Sequence, residues 1–300
     1  NISIIIPVYN DPQGLKDTIG SLVIQNYPFD KYEIVVVDNG SIDNTLDVAK
    51  EYVGEFPQLI KYVVEDKIRS SYAARNKGIK AAKGNLICFI DSDMTVKNNY
   101  LTDVSDYFDN NRIDYLGCNV KLFLLKNTLT GKYNCLYDFN IENDIYNNHY
   151  APTCCLVVKK KIFKTVGFFD DRLESGGDWE FGQRVYKQGM IQGYAKDIIL
   201  LHPSRYKYKV LIKKSRRIAR GIAQLTFYYP KDCKHFFDGY FKIKSYLPSN
   251  PVNIYQKSKR SNIKINIFEC VILSFLHIPI RILTLLSLVK EEKRLILENK

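Results

Sequence analysis

Four segments of this chain, in fixed order, carry groups that bind cations or move protons. They read Ser3-Ile4-Ile5-Ile6-Pro7-Val8-Tyr9-Asn10, Val35-Val36-Val37-Asp38-Asn39-Gly40-Ser41, Phe89-Ile90-Asp91-Ser92-Asp93 and Gly176-Gly177-Asp178-Trp179-Glu180. The Asp91/Asp93 pair, two residues apart just past an apolar run, offers oxygen ligands that suit Mg²⁺ or Mn²⁺. Asp178 or Glu180 can take a proton from a hydroxyl. Asp38 can accept an imide N–H of uracil or thymine, or the N1–H of guanine. Together these groups describe a site for a charged, hydroxyl-rich ligand, and a nucleotide-sugar has that chemistry.

Runs such as Ile4-Ile5-Ile6 and Ile34-Val35-Val36-Val37 read as strands buried on both faces. In open α/β sheets ligands bind beyond the carboxyl ends of such strands. Strands are predicted at 2–8, 33–38, 60–64 and 86–90. Between them, helices start at Asp11-Pro12, at Asp43 or Asn44, and at Ser70 or Ser71. This alternation predicts an α/β fold with a mostly parallel sheet. Residues 115–124 and 153–158 read as further strands around a polar, Asn- and Tyr-rich helix. Asp178 opens a helix that Gly189 stops, and 207–225 form a basic helix.

These motifs resemble the family 2 glycosyltransferases, inverting enzymes of GT-A fold. The resemblance covers about residues 1–225. It rests on Pro7-Val8-Tyr9-Asn10, on Asp38-Asn39-Gly40-Ser41 with Asp43 and Thr45, and on Ala74-Arg75-Asn76-Lys77-Gly78. It rests further on Asp91-Ser92-Asp93 and on Asp178-Trp179-Glu180 followed by Arg184. It implies a Rossmann-like sheet flanked by helices. Residues 1–225 would be the nucleotide-sugar-binding and catalytic domain, and 226–300 a basic and apolar helical extension. The implied reaction moves a sugar from a nucleotide-diphosphate sugar to a hydroxyl of a glycan or lipid-linked saccharide, with Mn²⁺ or Mg²⁺.

The resemblance also implies roles. Pro7, Tyr9 and Asp38 would hold the base, with Arg75 reaching the base or the phosphates. Asp91, with Ser92 in the same turn, would approach the ribose or the metal, and Asp93 would be the more direct metal ligand. Asp178 would be the general base. Gly177 stands where the family commonly has a Glu, which leaves Glu180 as an alternative base or acceptor-binding group. His202 would complete the metal shell, or else be a structural His at a strand end. Trp179 would stack on an acceptor sugar or anchor its helix. Arg205, with Arg216, Arg217 and Arg220, would grip the diphosphate or face lipid headgroups. A sugar-1-phosphate nucleotidyltransferase is a rival, although the loop Tyr9-Asn10-Asp11-Pro12 lacks the Gly-rich character of that class. A non-catalytic nucleotide-sugar-binding subunit is the other.

Three hundred residues, 46% of them hydrophobic, suffice for a sizeable core. The seven cysteines are odd in number and include no Cys-x-x-Cys pair, which favours reduced thiols in a cytosolic compartment. No secretory signal precedes the first strand, and targeting is not read from this end. Residues 205–264 hold 16 of the 44 Lys and Arg and only Asp232 and Asp238 among the acids. That local +14 exceeds the +12 of the whole chain and suggests an anionic partner, a membrane surface or phosphate groups. No nucleic-acid module accompanies it.

Residues 268–289 are strongly apolar, interrupted by Glu269, His277, Pro279 and Arg281. Ser274, His277, Arg281 and Thr284 fall on one helical stripe. A helix packed on protein, an interfacial helix and a transmembrane span are all open, the last opposed by the mid-helix Arg. The expected location is the cytoplasm, at the inner face of the cell membrane.

Overall fold

The computed structural model describes residues 1–137 and 139–298, so the final two residues of the 226–300 region lie outside it. In chain order the elements are β1 (Ile2–Val8), α1 (Pro12–Leu22), β2 (Tyr32–Asp38), α2 (Thr45–Glu55), β3 (Ile60–Val64), α3 (Ser71–Ala81) and β4 (Leu86–Phe89). Then come β5 (Thr95–Val96), α4 (Tyr100–Asn110), β6 (Tyr115–Phe123), α5 (Leu129–Leu136), α6 (Ile141–Asn148), β7 (Leu156–Lys159) and α7 (Ile162–Val166). The last are α8 (Gly177–Lys187), β8 (Gln192–Pro203), α9 (Tyr208–Tyr228), α10 (Pro230–Gly239), α11 (Pro251–Arg260) and α12 (Ile267–Glu298). Two compact units result. One comprises Asn1–Lys121, Phe139–Arg172 and Gly177–His202; the other comprises Leu122–Asp138, Leu173–Gly176 and Pro203–Lys300.

The eight strands form one sheet in the order β3-β2-β1-β4-β7-β6-β8-β5. The first four in that order run parallel, with Val8 beside Asp38 and Ile5 beside Phe89. β7 pairs antiparallel with β4 and β6, and β5 antiparallel with β8. The side chains of Ile4, Ile5, Ile6, Val35, Val36 and Val37 are wholly buried, as expected of strands covered on both faces. α3 lies close on β1: a Cβ on Gly78 would come within 2.5 Å of Ile5 Cγ2, so only glycine fits there. Asn76 on the same helix donates to the Phe169 carbonyl at 2.9 Å and accepts its amide at 3.0 Å.

The 12-residue strand β8 has no range in the sequence reading, which offers only a strand end at His202 as one alternative. Its buried positions alternate as a strand requires, but the exposed pair Lys196-Asp197 breaks the pattern at its centre. All seven cysteines are buried and none forms a disulfide.

In the second unit α12 packs along α9. Leu273 and Cys270 join Leu136 and Ile254 in an apolar cluster. The polar stripe of α12 is on the covered side: Ser274 and Thr284 are buried, and Arg281 donates to the Gly239 carbonyl at 2.9 Å. The Arg281 guanidinium also lies 4.6 Å from the centre of the Tyr240 ring, and His277 Nε2 lies 2.9 Å from the Leu247 carbonyl oxygen. Phe268, Val271, Ile272, Phe275, Ile282 and Leu286 are exposed instead. A buried network crosses the same pair of helices. Gln224 accepts the Glu174 amide at 2.8 Å and donates to Glu291 at 3.1 Å, while Arg294 grips Glu291 at 2.6 and 3.0 Å.

The hydrogen bonds from Arg294 hold the Glu291 carboxyl below its ordinary range, against the opposing effect of burial. A depressed carboxyl stabilises the fold above its unfolded pKa and loses that contribution as the pH falls through the folded one. Glu291→Gln should therefore lower stability at pH 7 by about 1 kcal/mol, or about 2–4 °C in Tm, a small figure because Arg294 is half exposed. The deficit should shrink between pH 7 and an acidic pH below the depressed folded pKa, where wild-type Glu291 also becomes protonated. Thermal melts of both proteins at the two pH values check this.

Candidate active site

The parallel order of β2, β1 and β4 brings their carboxyl ends to one edge. Asp38 ends β2 and is buried. Its oxygens accept the Ser41 amide at 3.1 and 3.3 Å, and Tyr62 on β3 donates to Oδ2 at 3.2 Å. Burial first, then the Asp38 charge, push the Tyr62 hydroxyl up to about 12, so it stays a donor. Asn39 donates to the carbonyls of Glu65 and Ile68 at 2.9 and 2.8 Å. An aspartate there could not donate, so the amide is what ties down the 65–70 loop. Pro7 lies on β1 beside Val37. Tyr9, about half exposed, lies with its ring 5.8 Å from the Arg69 guanidinium carbon.

Arg75, buried on α3, donates to Asp91 Oδ1 at 2.5 Å and to the Ser71 carbonyl at 3.3 Å. One oxygen of Asp91 is thus committed to a charge-assisted bond. Ser92 donates to Asp11 Oδ2 at 3.4 Å, and Asp11 caps α1 by accepting the Gly14 amide at 3.1 Å. Burial raises the Asp11 carboxyl above its ordinary value, the Gly14 bond opposes this, and the Asp93 charge adds to the rise.

β5 follows Asp91-Ser92-Asp93 and pairs Thr95 with Leu201, so the register sets His202 beside the residues preceding Thr95. The buried His202 Nε2 lies 3.8 Å from Asp93 Oδ1. A carboxylate and an imidazole at this separation, with Asp91 two residues away, are donors that Mn²⁺ or Mg²⁺ accepts. Among the described residues no three His, Cys, Asp or Glu side chains converge into a ready-made cage. Asp93 and His202 supply two donors of a kind that a divalent cation takes, and a ligand or water would have to fill most of its other positions.

Asp178 stands in the first turn of α8, after Gly176 in a positive-φ conformation (+84°). Its Oδ1 accepts the Trp179 amide at 3.0 Å, and the Tyr72 hydroxyl lies 3.5 Å from the same oxygen. Glu180 is buried, and Arg184 holds both its oxygens, Nε to Oε1 at 2.6 Å and Nη2 to Oε2 at 2.8 Å. Arg184 also donates to the carbonyls of Val166 and Phe168. The pair thus fastens α8 to the segment after α7. Trp179 is only partly buried, and the wholly buried Phe181 packs against Phe163 and Phe169 in the core.

Arg205 belongs to the second unit, where its amide donates to Asn134 Oδ1 at 2.7 Å. Arg220, in the same unit, is paired with Glu174 at 2.6 Å. Tyr62, Arg69, Tyr72 and Asp11 around the first-unit site are absent from the sequence reading as functional residues. Asp11 shows there only as a helix start, and the three others lie outside any acidic motif.

Residues 3–167 match the sequence model of Glycosyl transferase family 2. The chain is 32% identical over 226 residues to glycosyltransferase AglE of Haloferax volcanii, covering 75% of this chain and 73% of that protein. It is 27% identical over 217 residues to the minor teichoic acid biosynthesis protein GgaB of Bacillus subtilis, covering 70% of this chain but only 23% of that protein. Among solved structures, mannosyltransferase PcManGT from Pyrobaculum calidifontis, in complex with GDP-Man and Mn²⁺, superposes with a TM-score of 0.64 at 16% identity, covering 97% of this chain and 86% of that one. Residues 1–349 of S. aureus TarS with UDP-GlcNAc give 0.58 at 18% identity, covering 98% and 90%. The fold is therefore GT-A, and the chain belongs to glycosyl transferase family 2.

Proposed function

We propose that this glycosyltransferase is an inverting, metal-assisted enzyme that takes its sugar from a nucleoside diphosphate and gives it to a hydroxyl of a cell-envelope glycan or lipid-linked saccharide. One observation carries the reading: in a single compact unit, strand ends place Asp38, Asp91 and Asp93 on one edge, with His202 beside Asp93 and a carboxylate, Asp178, at a helix start. The neighbours solved in complex with GDP-Man and UDP-GlcNAc, and the relative named for teichoic acid biosynthesis, support the donor and acceptor classes. Residues 1–225 would form the catalytic domain and 226–300 a region that meets the membrane.

Asp38 holds the base through an imide or N1–H, with Pro7 and Tyr9 beside it. This selects uracil, thymine or guanine over adenine and cytosine. Asp93 and His202, with Asp91, would hold Mn²⁺ or Mg²⁺, which when bound offsets charge on the departing diphosphate. Arg75 fixes Asp91. The acceptor hydroxyl gives its proton to Asp178 as its oxygen attacks the anomeric carbon from the face opposite the diphosphate. The new C–O bond forms, the bond to the diphosphate breaks, and the nucleoside diphosphate leaves. Asp178 suits the base role better than Glu180, whose two oxygens Arg184 already holds.

A thermal-shift panel of UDP-, GDP-, dTDP-, ADP- and CDP-sugars tests the donor reading, because a ligand that binds only the folded state raises Tm. One of the first three should stabilise wild type, and more so with Mn²⁺ or Mg²⁺. Asp93→Asn should lose the metal-dependent part and most transfer. Activity within about twofold of wild type at saturating metal removes Asp93 from the metal-ligand role.

Asp178→Asn should keep donor binding and lose transfer by about 10²–10⁴-fold. Glu180→Gln should act mainly on stability, through its lost bond to Arg184. If Glu180→Gln is inactive and Asp178→Asn is not, the base is Glu180.

The membrane reading rests on the second unit. α12 turns its polar stripe inward and exposes Phe268, Ile272, Phe275 and Leu286, while residues 205–264 carry the excess positive charge. Arg281, tied to the Gly239 carbonyl, favours a helix lying in the interface over one that spans. The full chain should float with anionic vesicles at low salt and be only partly released by raised salt. Phe268→Ser/Phe275→Ser should release it, and a wild-type chain that stays in solution refutes the membrane role.

A further inference from the structure

We propose that Tyr72 is a positioning residue that orients the general base; this rests on the reading of Asp178 as that base. Tyr72 is buried near the start of α3, and its ring stacks on Phe169 with centroids 5.8 Å apart. Phe169 is in turn fastened through its backbone to Asn76, one turn further along α3. The ring is therefore held from both ends, and its hydroxyl reaches the first turn of α8.

There it meets the backbone of Gly177 and Asp178 and the Asp178 carboxylate. It accepts the Gly177 amide at 2.9 Å and lies 3.4 Å from the Asp178 amide. These are N–H groups at a helix start that no carbonyl of the helix can satisfy. With its lone pairs turned to the amides, the hydroxyl has one hydrogen to give, and Asp178 Oδ1 lies 3.5 Å away. The Trp179 amide donates to the same oxygen at 3.0 Å. The Trp179 amide orients Oδ1, the longer contact from the phenol adds a weaker attraction, and the Gly177 amide held by that phenol fixes the backbone that carries the carboxylate.

Gly177 makes the approach possible. A Cβ there would lie 2.9 Å from both Cε2 and Cζ of Tyr72, closer than ring carbons allow. The helix start and the phenol thus fit only as glycine against tyrosine. A general base must present its oxygen within about 2.6–3.2 Å of the proton it takes. Misplacing a reacting group by about 1 Å can cost about 10²-fold in rate. Tyr72 would supply that placement without touching the donor or the acceptor.

Tyr72→Phe keeps the ring and removes only the hydroxyl. With the nucleoside diphosphate sugar and cation that give the largest shift in the thermal panel, kcat should fall by at least about fivefold. Donor affinity should stay within about twofold and Tm within about 2 °C of wild type, a split that loss of a merely structural contact would not give. A smaller fall in kcat, or a matching loss of donor affinity, overturns the assignment of Tyr72. If Tyr72→Phe loses stability, kcat is compared at a temperature where both proteins are fully folded, and a fall of less than about fivefold there overturns the assignment. Asp178→Asn runs beside them: if it remains active, the base reading fails, whereas an inactive Asp178→Asn beside an unimpaired Tyr72→Phe overturns only the inference about Tyr72.

Discussion

A carboxylate inside a strand covered on both faces would lose its hydration with nothing to replace it. β1 and β2 are such strands, with Ile4, Ile5, Ile6, Val35, Val36 and Val37 wholly excluded from solvent. Charged groups on these strands are therefore confined to the ends. Because β2, β1 and β4 run parallel as neighbours, their carboxyl ends fall on one edge with Asp38 and Asp91, while Glu33 sits at the opposite end of β2, paired with Lys61. Asp38 lies level with Val8, and Asp91 follows Phe89, which lies level with Ile5. That Asp38 and Asp91 share an edge follows from this parallel order combined with what the sheet interior excludes.

Gathering carboxylates has a consequence of its own, since like charges raise one another's proton affinity. The structure answers with local donors. Asp38 takes the Ser41 amide and the Tyr62 hydroxyl, Asp91 takes Arg75, and Asp178 takes the Trp179 amide. At Asp11 burial is the main cause of the raised carboxyl, the Gly14 amide opposes it, and the Asp93 and Asp43 charges add smaller contributions. A diphosphate approaching this edge meets negative charge. That is the electrostatic case for the cation proposed between it and Asp93.

The parallel half of the fold was legible in the sequence because each element there carries its own signal. Ile4-Ile5-Ile6 marks a buried strand, Asp11-Pro12 a helix start, and Ser70 the cap of α3, where its hydroxyl accepts the Tyr72 amide at 3.2 Å. The strand-end positions of Asp38 and Asp91 were legible for the same reason, as these carboxylates end apolar runs. β8 was not, since Lys196-Asp197 interrupts its alternation, nor was β5, only two residues long. Tyr62, Arg69 and Tyr72 were illegible for another reason. Tyrosines are numerous here, 22 in all, and nothing local distinguishes one that meets a carboxylate from one that fills a core. Only the pairing of β2 with β3, and of α3 with the start of α8, does so.

α12 shows how the same periodicity can be read in two directions. A narrow polar stripe on an apolar helix ordinarily marks the face turned to water. Here the stripe is the covered face, because its partners are polar. Arg281 finds the Gly239 carbonyl and the Tyr240 ring, His277 finds the Leu247 carbonyl, and Glu291 finds Gln224 and Arg294. These bonds offset much of the penalty for turning the stripe inward, although His277 Nδ1 and Arg281 Nε are buried without a hydrogen-bond partner. What remains outside is an exposed row from Phe268 through Leu286. Water gives such a row no stabilisation, whereas the acyl boundary of a lipid leaflet does. The basic residues of 205–264 have the sign that an anionic leaflet attracts. Inward polarity and outward apolarity are thus two sides of one arrangement, and the membrane reading depends on both.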